Sequence, residues 1–471
     1  MTVNSSRPEQ AQPPAPTGSG PPGAPEGGWN RRVLRIAGPI ILSNLSVPLL
    51  GAVDTAAMGH QPDAAYLGGV AIGALFFNFI YWGFGFLRMG TTGFAAQAHG
   101  AGNRDELGAT LLRSLIIAGA LGLLIMALQA PLAGLALHLL DPGAEVAALA
   151  RDYIDIRIWG APATLMLYAL LGWQLGVQRP AAVLLLQLLL NGSNIAITLL
   201  LVVGLGWRIE GAATGTLIAE YLALLFGLWL ARRALRDLAA RVDWRALRDR
   251  ARLIALLRVN RDIFLRTACL QVAFALFARS GAQFGEATLA GNAILLQFQS
   301  FLAFGLDGFA HAVEVLAGSA VGARSRRAFR SAVTVSSLWA LALAAIFTLA
   351  YALAGSMLIA LFTDLPEVRA AAEAMLPWMI ASPLISIWSY QLDGIFIGAT
   401  RTAAMRNAMI LSLIGFVIAE RIMAPAFGND GLWSALLIFI GLRAVTLGAY
   451  YPALERSLDE KNEPGRPAQA A

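Results

Sequence analysis

The chain has 471 residues, of which 57% are hydrophobic and only 14% are Asp, Glu, Lys or Arg, whereas soluble domains carry about a quarter charged residues. That balance, with a mean hydropathy of +0.63, excludes a soluble enzyme and predicts an all-α polytopic membrane protein. The formal net charge of +6 does not imply a nucleic-acid partner, because the basic residues cluster in short loops between apolar runs, where they act as a topology signal.

Residues 1–30 form a Pro/Gly/Ala/Ser-rich tail without the charged and apolar regions of a cleaved signal peptide, and are expected to be a disordered cytoplasmic extension. Twelve apolar stretches long enough to span a bilayer follow. Six fall near 33–59, 66–98, 107–138, 154–177, 182–204 and 211–231, and six near 263–284, 288–320, 330–361, 374–397, 405–426 and 432–451. Arg31 and Arg32 precede the first stretch; Arg104, Arg179, Arg324, Arg326, Arg327, Arg401 and Arg406 follow even-numbered ones, and ten arginines crowd 232–261. By the positive-inside rule both termini are cytoplasmic, in a multi-pass protein of the bacterial inner membrane. The expected layout is an N-terminal six-helix lobe at 31–231, a basic cytoplasmic linker at 232–262 lying on anionic lipid, a C-terminal six-helix lobe at 263–452 and a polar cytoplasmic tail at 453–471.

The two halves repeat at a constant offset. Gly59 and Gly281, Gln61 and Gln283, Phe76 and Phe298, Gly83 and Gly305, and Gly100 and Gly322 are all 222 apart, and 59–101 shares 14 identities in 43 positions with 281–323. Gly176 with Gly398 and Arg179 with Arg401 continue the offset. Six helices per half give both halves the same orientation, a parallel repeat about an axis along the membrane normal. Halves so related enclose a central cavity and suit alternating access.

Ionisable groups inside the spans are the functional candidates, since an ionised Asp in lipid costs ~2.5–3.5 kcal/mol or more. Asp54 closes the first span in Pro48-Leu49-Leu50-Gly51-Ala52-Val53-Asp54-Thr55-Ala56-Ala57-Met58-Gly59-His60; its repeat mate is Leu276, so no symmetric pairing explains it. Asn194 and Thr198 share one face of the fifth span, and Thr216 lies in the small-residue start of the sixth. These three either hydrogen-bond between helices or complete a small cation site with Asp54. Asp307, His311 and Glu314 line one face of the eighth span and Asp393 sits in the tenth. They form either a second polar site or charge pairs with Arg88, Arg266, Arg279 or Arg443; Glu220 and Glu420 complete the buried acids. Asn78, Tyr81, Trp82 and Arg88 are candidates for a substrate-cavity wall, where aromatic rings could stack on cationic organic molecules, or else packing and interfacial anchors. The lone Cys269 excludes an intrachain disulfide. No metal-ligand spacing accompanies His311, and neither a phosphate loop nor a catalytic nucleophile constellation is present. No cofactor, resident metal or catalytic residue is expected.

The Asp54 segment resembles the first-helix signature of the multidrug and toxic compound extrusion (MATE) family, in its DinF-like branch. So do Phe86-Leu87-Arg88-Met89-Gly90-Thr91-Thr92-Gly93, Asn260-Arg261-Asp262-Ile263, Leu306-Asp307-Gly308-Phe309-Ala310-His311-Ala312-Val313-Glu314 and Gly398-Ala399-Thr400-Arg401. The resemblance covers about 31–452. It implies twelve helices in two lobes and export of small organic compounds, amphipathic or cationic, against inward H+ or Na+ flow. Asp54 matches the family's cation-coupling acid, and Asn194 and Thr216 match two further members of that site. Thr198 stands where the family carries a second carboxylate, a departure that favours one proton on Asp54 over sodium. Asp393 is near, but not in register with, the acidic pattern of another branch. The expected protein is a monomer in contact with membrane lipids. The rival reading is a flippase for lipids or lipid-linked precursors with the same two-lobed architecture.

Overall fold

The structure, a computed structural model, describes residues 28–59, 64–240 and 244–459, with side chains for those outside 45–64 and 241–245. Most of the tails expected at 1–30 and 453–471, and the Asp54 side chain, lie outside what is described. The described residues contain no strand.

The first half comprises α1 (Trp29–Gly59), α2 (Ala64–Gly83), α3 (Phe86–Gly100), α4 (Arg104–Ala127), α5 (Gln129–Leu140), α6 (Ala144–Arg157), α7 (Ala161–Gly176), α8 (Pro180–Leu199) and α9 (Ile209–Asp237). A short α10 (Trp244–Leu247) precedes α11 (Arg250–Ala282), α12 (Glu286–Gly322), α13 (Arg326–Phe362), α14 (Pro366–Gly398), α15 (Thr402–Gly448) and α16 (Tyr451–Arg456). Ten spans among the described residues are long and apolar enough to cross a bilayer. The last of them, through α15, is interrupted at Gly428, whose φ of 61° and ψ of −136° no continuing helix adopts. With that span counted as two and the 31-residue α1 added, the architecture is the expected twelve-helix one.

Three expected spans are built from two helices each. The second breaks between α2 and α3, where Phe84 and Gly85 donate to the carbonyls of Tyr81 and Trp82 in tight i to i−3 bonds of 3.0 and 3.2 Å. The third breaks at Leu128, just ahead of Pro131. The fourth passes through a 3-10 turn at Ile158–Gly160, where Pro162 cannot supply an amide to a continuous ladder. The seventh begins at Arg250 rather than near 263, because the Asp249 carboxylate caps the amides of Ala251 and Arg252 at 2.9 and 3.2 Å. Much of the expected linker is therefore helix.

The repeat seen in the sequence returns as repeated contacts. Gly172 of α7 seats against the carbonyl of Arg88 in α3, and its mate Gly394 of α14 against that of Ala310 in α12. Gly176 and Gly398 repeat this one turn on, against the carbonyls of Thr92 and Glu314. Between the halves, Gly100 rests on the backbone of Ser319 and Gly322 on that of Gln97. Since 97 + 222 = 319 and 100 + 222 = 322, this is one contact made twice about a pseudo-twofold. Close approach through small residues is how helices associate in lipid, where apolar surface gains little by being buried.

Each lobe has its own apolar core. Trp173 and Phe77 are fully buried in the first, with the Trp173 indole donating to the carbonyl of Leu107 at 2.9 Å. Phe277 and Trp433 meet edge to face at 5.2 Å in the second. The lobes touch through the half of the molecule that carries the arginine-rich connections. There the Gln97 amide donates to the Gly398 carbonyl and the Thr400 hydroxyl at 2.9 and 3.0 Å, and Trp339 donates to Asn30 at 3.0 Å. The Asn44 amide reaches the carbonyl of Phe304 at 3.1 Å.

Gly100→Val and Gly322→Val should each lower stability by about 1–3 kcal/mol through overpacking. The double variant should cost less than the sum, because the first substitution already opens the shared contact. Gly119→Ala, whose new methyl would meet nothing nearer than 3.7 Å, should be neutral. Thermal unfolding of the purified protein in detergent measures all four, and additive losses would contradict the reciprocal geometry.

Candidate functional site

In the first lobe α1 packs along α8, and α8 along α9, so the three elements bearing the candidate cation residues are neighbours. Asn194, Thr198 and Thr216 come together as a buried trio. The Asn194 amide donates to the Thr216 hydroxyl at 3.0 Å, the Thr198 hydroxyl donates to the Asn194 carbonyl oxygen at 3.3 Å, and Thr216 donates to its own helix at Ala212 O, 3.1 Å away. Thr198 also lies against Gly215, where any side chain would strike it. The spacing explains the assembly: 194 and 198 share a face of α8, and glycines at 211 and 215 let α9 approach it. The backbone of Asp54 belongs to α1.

The four candidates for a cavity wall separate. Tyr81 is buried in the first lobe, with its ring 5.5 Å from that of Phe77. Asn78 and Trp82, one turn apart, are exposed. Arg88 faces the other lobe, where its guanidinium comes within 3.4 Å of His311 Nδ1.

In the second lobe the expected polar face of α12 is present, and its charges are shared out differently from the arginine pairing offered for Glu314. Glu314 is buried with an oxygen 3.1 Å from His311 Nδ1, the same nitrogen that Arg88 approaches, so that atom serves either the carboxylate as donor or the guanidinium as acceptor. Asp393 is held by two guanidinium groups, Arg266 from α11 and Arg443 from α15, the latter at 2.9 Å. Asp307 lies within electrostatic reach of His311, Arg88 and Arg266, and Arg279 is exposed. Glu420 accepts from Ser280 at 2.6 Å. Buried charges in a low dielectric need such partners.

Two buried acids gain partners that sequence reasoning did not assign. Asp262 takes Arg406 at 2.7 Å, Arg261 at 2.8 Å and the Thr402 hydroxyl at 3.5 Å, which closes α11 onto the start of α15. Glu220 of α9 faces Arg157 of α6 at 3.7 Å. The signal for the latter was an arginine three residues inside an expected span, at a position no loop rule explains.

A family model described as MatE matches residues 39–200 and 263–421. The chain is 41% identical to the DNA damage-inducible protein F of Escherichia coli K12 across 90% of its own length and 92% of that protein's. It is 31% identical to a probable multidrug resistance protein NorM of Caulobacter vibrioides, over 62% of this chain and 63% of the relative. Among solved structures, a MATE protein in its bent conformation superposes with a TM-score of 0.83 at 19% identity, over 92% of this chain and 97% of that one. A MOP superfamily transporter from Pyrococcus furiosus gives 0.82 at 19% identity, with the same coverage of each chain. The twelve-helix, two-lobed chain is a member of the MATE family of multidrug efflux transporters, and so a membrane transporter rather than an enzyme.

Proposed function

We propose that the protein is a secondary active antiporter that exports drugs or other small organic compounds, amphipathic or cationic, in exchange for protons. It works by alternating access across a bacterial inner membrane, with both termini cytoplasmic. The observation that carries this reading is the buried Asn194–Thr198–Thr216 trio on two helices beside the one that bears Asp54. Every side chain in the trio is neutral, so the trio itself brings no second negative charge to hold a sodium ion beside Asp54, which supports proton exchange. Binding of the proton removes the charge on Asp54, and α1, which contains Pro48 near the same end, bends and displaces the substrate. Contact between the lobes in the arginine-bearing half supports a cavity closed toward the cytoplasm in this conformation. The names of the NorM relatives support drug-like substrates. The second-lobe acids Asp262 and Asp393, each closed by guanidinium groups, serve to hold helices together.

Transport in proteoliposomes with pH and sodium gradients imposed separately tests the coupling. A pH gradient alone should drive uptake, and drive by sodium alone would overturn proton coupling. Asp54→Asn should reduce pH-driven transport to background while purified yield and unfolding temperature stay at the wild-type level; normal transport in that variant would sink the assignment.

Asp393→Ala should lower stability by about 3–5 kcal/mol, since it leaves Arg266 and Arg443 buried against each other. Combining it with Arg266→Leu should restore part of that loss. Thermal unfolding of the three proteins is the measurement.

A further inference from the structure

We propose that Glu220 is a second proton-exchanging carboxylate of the first lobe, one that takes up and returns a proton during the transport cycle. The inference rests on the proton-antiport reading and deepens it. Glu220 is 5% exposed and lies one turn along α9 from Thr216, on the same face. One face of α9 therefore carries Thr216 of the trio and, a turn further on, a buried acid.

Its surroundings differ from those of the other buried acids. Asp262 and Asp393 are closed by two guanidinium groups each, with contacts of 2.7 and 2.8 Å on Asp262. Glu220 has one cation, Arg157 of α6, at 3.7 Å, beyond the ~2.7–2.9 Å of a charge-assisted bond. Its Oε2 makes no hydrogen bond among the described residues and lies against Gly160, where a Cβ would collide with it. Among the described residues, Tyr81 from α2 and Thr164 and Tyr168 from α7 also face it. The hydroxyls of Tyr81 and Thr164 are themselves buried without a hydrogen bond among the described residues.

This arrangement accommodates both protonation states. A hydroxyl donates to a carboxylate and accepts from a carboxylic acid, so Thr164 and Tyr81 serve either form by rotating one proton. The cation does not depend on Glu220 either. The Arg157 guanidinium lies 4.6 Å from the Phe77 ring and 5.8 Å from that of Tyr153, and these faces stabilise it when the acid is neutral. The step is simple protonation. A proton from the outer aqueous phase adds to a carboxylate oxygen of Glu220, and the same O–H bond breaks when the proton leaves to the cytoplasm.

The test combines proton counting with infrared spectroscopy on reconstituted full-length protein. The pH gradient at which net flux of a fluorescent cationic dye reverses gives the protons moved per dye molecule. Acid-minus-neutral difference spectra report the C=O bands of newly protonated carboxylic acids. Glu220→Gln should lower the proton count by one and delete one such band; Glu220→Asp should keep both. Thr164→Val, which alters no charge, should shift that same band in an otherwise wild-type chain, so the inference stays open to refutation if Glu220→Gln does not fold. A Gln variant with the wild-type proton count and all bands, or a Thr164→Val spectrum identical to wild type, overturns the role of Glu220. Failure of the wild-type protein to respond to a pH gradient overturns the antiport reading instead, and the two failures are distinct.

Discussion

Helices in a bilayer gain little from burying apolar side chains against one another, because the lipid they leave is equally apolar. What holds this molecule together is close backbone approach at glycines that repeat in register. Gly172 and Gly176 clamp α7 on α3, Gly394 and Gly398 clamp α14 on α12, and Gly100 with Gly322 joins the two clamped units. The candidate chemistry is arranged about that frame: α8 and α9 with their polar trio lie outside it in one lobe, while α12 and α14 of the frame carry the charges of the other.

Against this apolar scaffold the charges fall into two kinds. Asp393 is held by cations from α11 and α15, and Asp262 by Arg406 of α15 with its own neighbour Arg261, so both acids tie together elements that apolar packing would not specify. In the membrane such saturated pairs resist change, because removing either partner strands the other. Asp54 and Glu220 belong to the first lobe, where Glu220 lies beside Arg157 and the hydroxyls of Tyr81 and Thr164. A group that must exchange a proton needs surroundings that tolerate both charge states, and the first lobe provides them. The asymmetry between lobes, first visible as Leu276 opposite Asp54, extends to the whole style of charge compensation.

Much of the architecture was legible in the sequence because apolar length, arginine placement and the 222-residue offset report on different physics and agree. Asn194, Thr198 and Thr216 were legible as a group because helical periodicity puts 194 beside 198 and glycine spacing brings α9 close. The interruptions at Phe84 and Leu128 were not, since a hydropathy run continues across a turn that only backbone geometry reveals, whereas the break at Gly428 falls in the expected gap between 426 and 432. The pairing of charges was equally hidden. Glu314 finds His311 on its own helix and Asp393 finds two arginines far away in the chain, and nothing in the spacing of arginines separates those outcomes. Arg157 escaped notice because it sits where a loop arginine should not, and its partner Glu220 lies 63 residues on.

The connection between the lobes is tighter than its length suggests. Buried Arg113 of α4 donates to the carbonyls of Ala246 and Leu247 and pairs with Glu106 at 2.8 Å, so α10 is fastened to the first lobe. Between the end of α10 and the start of α11 only Arg248 and Asp249 remain, a reach of ~10 Å even when fully extended. The second lobe is thus moored to the first by a very short leash at one corner. Any rocking of the lobes must turn about that corner, which restricts their relative motion to a swing with little sliding and keeps the start of α11 nearly still while the far ends travel.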